Sequence, residues 1–72
     1  MYTYKIIFAK NEVVSCELLN EVILGNDYHY EHDKGRLLFA LVRAENELDA
    51  ISKGEKIVRE VTENIFGHDF VN

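Results

Sequence analysis

The sequence of 72 residues has no proline, no tryptophan and one cysteine. Because Cys16 is alone, an intramolecular disulfide is excluded and the chain must fold without that constraint. No apolar run approaches the roughly 18 residues that cross a bilayer. Lys5 interrupts the first apolar stretch and no basic segment precedes it, so we predict no signal peptide. We therefore expect a single cytoplasmic domain over residues 1–72.

An excess of basic residues is also lacking. The chain carries 8 Lys and Arg against 13 Asp and Glu, a net charge of −5. Nucleic-acid binding needs a basic surface against the phosphates, and surface binding to membranes needs a basic amphipathic helix. We therefore expect neither nucleic acid nor a membrane as a partner.

Patterns of catalytic residues are missing as well. There is no glycine-rich phosphate loop, and Cys16 has no neighbouring histidine or basic residue that would lower its pKa. His29 and His32 would point to opposite sides of a strand and could not chelate together. We predict no catalytic residue, no cofactor and no metal. His29, Glu31 and Asp33 would share one face, which leaves small-molecule or metal-ion binding as an alternative.

The first third of the chain holds one clear strand and one ambiguous segment. Tyr2–Ala9 alternates in the way of a strand and is rich in aromatic and β-branched residues. Residues 12–24 can form an amphipathic helix with Asn11 as its N-cap, or a strand after a tight turn at Lys10 and Asn11. We favour the helix and keep the strand as the alternative.

A hairpin is predicted over Tyr28–Arg43, with its turn at residues 33–35, where Gly35 allows a positive φ. Its second strand contains six consecutive apolar residues, 37–42. A strand that is apolar on both faces is typical of a central position with cover on both sides.

The clearest helix is predicted over Asn46–Phe66, with Asn46 and Asp49 as a capping box and Gly67 as its end. Gly54 falls within the apolar stripe of this helix. Glycine is unfavourable in a helix, so we expect it to allow a close approach to the sheet. Whether residues 69–71 add a short strand stays open.

Together these segments predict an α+β, two-layer sandwich, with an antiparallel sheet of three to four strands and one or two helices on one face. We prefer the ferredoxin-like split order, β-α-β-β-α. The alternative is β-β-β-β-α.

Residues 41–58, LVRAENELDAISKGEKIV, resemble the strand-then-helix ending of many small α+β domains, HicB-type antitoxins among them. The resemblance rests on the spacing of Ala44 and Ala50 and covers less than half of the chain. It carries over no functional residue. It implies one further alternative, an antitoxin-like regulator of a partner protein.

The helical layer can cover only one face of the sheet, so Ile7, Ala9 and one of two stripes of the second hairpin strand would stay exposed on the other. The two possible stripes are Leu37, Phe39 and Leu41, or Leu38, Ala40 and Val42. A large exposed apolar patch usually marks an interaction site. We therefore expect a non-catalytic protein-interaction or regulatory module that acts as a homodimer or as an adaptor for another protein. The candidate interaction residues are Ile7, Leu38, Ala40, Val42, Tyr28 and Tyr30.

Overall fold

The computed structural model describes residues 1–20 and 25–71, with side chains as far as Glu63. Its elements are β1 (Tyr2–Ala9), β2 (Glu12–Leu19), β3 (Tyr28–Asp33), β4 (Arg36–Ala44) and α1 (Glu47–Val71). The α+β class with a four-stranded antiparallel sheet is confirmed, and so is the alternative order β-β-β-β-α. The preferred ferredoxin-like split order is wrong.

The turn between β1 and β2 decides this order. Lys10 and Asn11 have φ values of 53° and 59°, and Ala9 pairs with Glu12. Two left-handed residues form the tight turn whose twist matches a hairpin, and Asn is among the residues that tolerate it best. The helix expected over 12–24 is therefore wrong for 12–19, which pair with β1. Residues 21–24 lie outside the described residues.

Asn11 is not a helix cap but a link between the two hairpins. Its Nδ2 donates to the carbonyl oxygen of Gly35 at 3.1 Å, and its Oδ1 accepts from the backbone N–H of Leu37 at 2.9 Å. Lys34 and Gly35, with φ values of 53° and 87°, form the predicted second turn at the same end of the sheet. The amide of Asn11 thus connects the β1–β2 turn to the start of β4.

The sheet has the strand order β2-β1-β4-β3, with every pair antiparallel. Strands β1 and β4 are central, and β2 and β3 are the edges. Helix α1 packs over β1, β2 and β4 on one face. The core between helix and sheet is formed by Tyr4, Ile6, Phe8, Leu37, Ala40, Val42, Ala44, Ala50, Ile57 and Val61.

A β-bulge in β4 changes the expected alternation. Glu31 pairs with Phe39 and His32 pairs with Leu37, so Leu38 is an extra residue in the strand. After a bulge of this kind, each following side chain points to the side opposite to the one that uninterrupted alternation would give it. The six apolar residues of β4 therefore do not follow one uninterrupted period of two.

The bulge corrects part of the predicted interaction surface. Ala40 and Val42 are completely buried beneath α1, so their placement on an exposed stripe is wrong. Leu38 is 46% exposed, while Leu37 on the other side of the bulge is buried. Simple alternation would have kept Leu38, Ala40 and Val42 together on one side of the sheet.

The start of α1 matches its prediction closely, whereas its end does not. The Asn46 side chain accepts the N–H of Asp49 at 2.9 Å, and the Asp49 carboxylate accepts the N–H of Glu45 at 3.0 Å. The helix continues to Val71, so Gly67 does not end it and residues 69–71 are not a strand. One glycine costs only about 1 kcal/mol inside a helix, which is too little to terminate it.

Gly54 lies where α1 comes closest to the sheet, as expected. A Cβ atom at this position would be 3.1 Å from Cγ2 of Ile6 and 3.3 Å from Cγ2 of Val13. Both distances are shorter than ordinary carbon–carbon contacts. The missing side chain therefore sets the spacing between the helix and strands β1 and β2.

Candidate interaction surface

The face of the sheet opposite α1 has no cover within the described residues, and we call it the open face. Directly opposed residues in an antiparallel pair point to the same side. The register pairs Lys5 with Leu41 and Ile7 with Phe39 at the centre, and Thr3 with Arg43 towards one end. On the edge strands the open face includes Ser15, Glu17 and Leu19 of β2 and His29, Glu31 and Asp33 of β3.

The centre of the open face is apolar. Ile7, Phe39 and Leu41 are all half-buried, although no helix lies over them. The Lys5 ammonium lies 5.4 Å from the centroid of the Phe39 ring. A lysine at this distance makes a cation–π contact and covers the ring with its aliphatic stem. The apolar centre is therefore small and partly shielded by a residue that can move aside.

The charges on the open face are nearly balanced, in contrast to the net charge of −5 of the chain. Lys5 and Arg43 are basic, and Glu17 and Glu31 are acidic. His29 Nε2 lies 2.9 Å from Glu31 Oε1, and both side chains are about half exposed. Two acidic proteins repel each other least through a surface on which both signs are present.

The structure places the predicted interaction residues in three environments. Ile7 lies on the open face and Leu38 is exposed at the bulge, whereas Ala40 and Val42 belong to the core. Tyr28 and Tyr30 lie on the other side of β3, because they pair with Val42 and Ala40.

Two residues of the open face, Phe39 and Leu41, are not among the candidate interaction residues, although they belong to one of the two stripes that the sequence left open. They lie inside an unbroken apolar run that has no polar residue to mark which side faces outward. No feature of the sequence locates the bulge at Leu38.

Edge strand β3 carries a row of stacked aromatic rings on its helix side. The Tyr28 and Tyr30 rings are nearly parallel with centroids 6.1 Å apart, and the Tyr30 and His32 centroids are also 6.1 Å apart. The Tyr28 hydroxyl donates to the Glu60 carboxylate at 3.1 Å. That hydrogen bond and the negative charge of Glu60 raise the pKa of Tyr28 above its ordinary value.

A groove of about 820 Å³ runs between β2 and α1. Its lining includes Val13, Cys16, Ile51 and Glu47. Partial burial and the nearby Glu47 carboxylate raise the pKa of the Cys16 thiol, so it stays protonated at neutral pH. A nucleophilic cysteine needs the opposite shift. The groove therefore does not present an activated thiol.

Among the described side chains, no three of the types His, Cys, Asp or Glu come together as a metal site would require. The described part of the chain also contains no helix that is both long enough and apolar enough to cross a membrane. The chain matches no protein-family model, no curated protein and no solved structure.

Proposed function

We propose that this chain is a non-catalytic protein-interaction module that works as a homodimer and buries its open face against a second copy. The observation that carries the proposal is the half-buried apolar centre formed by Ile7, Phe39 and Leu41 on a sheet face that α1 does not cover. Covering apolar surface contributes roughly 25 cal/mol per Å² before the costs of association.

The open face is complementary to itself. Two sheets pack face to face about 10 Å apart with their strands nearly aligned. We place a two-fold axis between the two sheets, perpendicular to the strands, at the level where Ile6 pairs with Ala40. This axis puts each strand over the same strand of the second copy and exchanges the rows of side chains on either side of that level. Leu41 then lies opposite Phe39 of the second copy, and His29 lies opposite Glu31 of the second copy.

The same axis keeps like charges apart. It places Lys5 opposite Ile7 of the second copy and Glu17 opposite Ser15 of the second copy. Like charges directly opposed would oppose association. The balanced charge of the open face therefore favours a second copy of this acidic chain as the occupant.

The size of the face sets the expected affinity. Four strands about 4.8 Å apart and about eight residues long, at about 3.3 Å each, outline roughly 500 Å² per copy. Two copies would bury about 1,000 Å² in total, near the lower limit for a specific interface. We expect a dissociation constant in the micromolar range.

Sedimentation velocity over a concentration series tests the proposal. Ile7→Lys places a charge at the centre of the open face, and we expect it to lower the mass of the assembly relative to wild type. Leu48→Lys is the matched control, because Leu48 is 79% exposed on α1 and makes the same change of charge away from the open face. A monomeric wild type at several hundred micromolar, or an Ile7→Lys variant that assembles like the control, would overturn the proposal.

A further inference from the structure

The two edge strands differ in how well they are protected from pairing. In β2, Ile7 pairs with Ser15 and Phe8 with Val13, so Val14 is a bulge residue. Bulges on edge strands hinder the addition of another strand. Strand β3 has no bulge residue of its own, because the extra residue opposite it belongs to β4. The outer edge of β3 is therefore regular over Tyr28–Asp33.

The backbone groups that point outward from β3 follow from one hydrogen bond. The N–H of Arg43 donates to the carbonyl oxygen of Asp27 at 3.0 Å, so the backbone of Asp27 points towards β4. In an antiparallel ladder the direction alternates along the strand. His29 and Glu31 therefore also point inward, and the N–H and C=O groups of Tyr28, Tyr30 and His32 point outward.

We infer that β3 is a second self-association surface, on which β3 of another copy pairs in antiparallel orientation with Tyr30 opposite Tyr30 of that copy. Tyr28 then pairs with His32 of the other copy, and the reverse pair forms by symmetry. Each of these pairs exchanges two backbone hydrogen bonds. The two four-stranded sheets become one continuous sheet.

The side chains fit this register on both sides of the sheet. On the helix side, the stacked row of Tyr28, Tyr30 and His32 meets the same row of the other copy, and aromatic cross-strand pairs stabilise sheets. On the opposite side, His29 lies opposite Glu31 of the other copy, and Glu31 lies opposite its His29. At the two positions whose backbone groups point towards β4, polar side chains of the two copies therefore face each other.

Other registers of the pairing between two copies of β3 would be less stable. Only even shifts keep outward-pointing backbone groups opposite one another. A shift of two residues places Glu31 opposite Glu31 of the other copy, or His29 opposite its His29, and loses one hydrogen-bonded pair. Like charges directly opposite each other destabilise a pair of strands. The sequence of β3 thus specifies one arrangement.

Within residues 1–20 and 25–63, β4 is the only strand that pairs with β3. Helix α1 packs over β1, β2 and β4, and the Tyr28 hydroxyl at one end of β3 donates a hydrogen bond to the Glu60 carboxylate of α1. The contact between two copies of β3, taken alone, has two-fold symmetry and uses the β3 edge of each copy, so by itself it closes as a dimer instead of propagating. The inference goes beyond the proposed function because it rests on the outward-pointing backbone groups of β3, although the His29 and Glu31 side chains also lie on the open face.

Proline at position 30 tests the edge contact. The N–H of Tyr30 points outward, so Tyr30→Pro removes no hydrogen bond between β3 and β4 but blocks the centre of the proposed pairing. Tyr30→Ala is the matched control, because it also loses the ring yet keeps the N–H. Both are made in the Ile7→Lys background, where the open-face contact is disrupted.

We expect sedimentation velocity to show dimers for the Ile7→Lys variant and for the same variant with Tyr30→Ala. With Tyr30→Pro instead, we expect the Kd of the dimer to be more than about tenfold higher than with Tyr30→Ala. Circular dichroism and a cooperative unfolding transition confirm that each variant is folded. Equal assembly of folded proline and alanine forms, or a monomeric Ile7→Lys variant, would overturn the inference. An Ile7→Lys variant that assembles like wild type and is dissociated by the proline would overturn the open-face proposal alone.

Charge exchange provides a second test that does not involve proline. In the same background, His29→Glu opposes Glu31 of the other copy, and Glu31→Lys removes the acidic partner of His29. We expect each variant alone to be monomeric and their mixture to form a heterodimer, in which Glu at position 29 faces Lys at position 31. A mixture that stays monomeric, at concentrations where Ile7→Lys alone is dimeric, would contradict the proposed register.

Discussion

Replacing Gly54 by alanine tests whether the close approach of α1 to the sheet or helix propensity decides stability at this position. Propensity alone predicts that alanine stabilises the helix by about 1 kcal/mol. The new Cβ would lie 3.1 Å from Cγ2 of Ile6 and 3.3 Å from Cγ2 of Val13. Ile6 is completely buried in the core and cannot move away without displacing its neighbours.

The expected balance is unfavourable. Adding a methyl group to a well-packed core costs about 1–3 kcal/mol, and the gain in propensity offsets about 1 kcal/mol of that. We expect a net destabilisation of about 1 kcal/mol, which lowers the Tm of a domain of this size by roughly 4–8 °C. Thermal and urea unfolding should be measured at one low protein concentration, because self-association would add to the apparent stability.

Two further variants make the test specific. Gly25→Ala is the control, because a Cβ there meets nothing within 4 Å. Val13→Ala removes one of the two close contacts, so Gly54→Ala should cost less in that background. A Gly54→Ala variant with a higher Tm than the wild type would refute the reasoning, since propensity would then outweigh the contact with Ile6.

Three other perturbations follow from the described contacts. Asn11→Gly keeps the left-handed backbone but removes the hydrogen bonds to Gly35 and Leu37, and we expect urea unfolding to show a loss of about 1–3 kcal/mol. Asn46→Ala removes the helix cap and should cost about 1 kcal/mol in the same assay. The pKa of Asp49 lies below its ordinary value of 3.8, chiefly because its carboxylate accepts a backbone N–H ahead of the cap. The ionised Asp49 carboxylate therefore contributes fully to the free energy of unfolding above pH 3.8, and this contribution is lost as the pH falls through the lowered pKa. Asp49→Asn should make the free energy of unfolding less dependent on pH in the acidic range.

Local chemistry made the second hairpin and the start of α1 predictable. The turn at residues 33–35 contains a glycine that takes a positive φ, and Asn46 and Asp49 satisfy the backbone donors at the helix start. Gly54 was also interpretable, because a glycine in an apolar helical stripe has few explanations other than close packing. The turn and the helix cap involve residues that lie near one another in the sequence, and the glycine within the apolar stripe of α1 is itself a local signal of its distant contact with the sheet.

The features that could not be predicted depend on contacts between distant residues. Residues 12–19 have an apolar pattern that suits a helix or a strand, and pairing with β1 decides between them. The bulge at Leu38 follows from its register with β3, and nothing in the run 37–42 marks it. The open face was therefore expected, but the sequence did not decide whether the stripe with Phe39 and Leu41 or the stripe with Leu38, Ala40 and Val42 would form its centre.

The link made by Asn11 has a consequence for folding kinetics. The sheet consists of two hairpins with short turns, β1–β2 and β3–β4, and each can form from local contacts within microseconds. They become one sheet only when β1 pairs with β4, which closes a long loop and should be the slow step. The Asn11 amide reaches Gly35 and Leu37 only after that docking. We expect Asn11→Gly to accelerate unfolding in stopped-flow experiments while leaving the refolding rate almost unchanged.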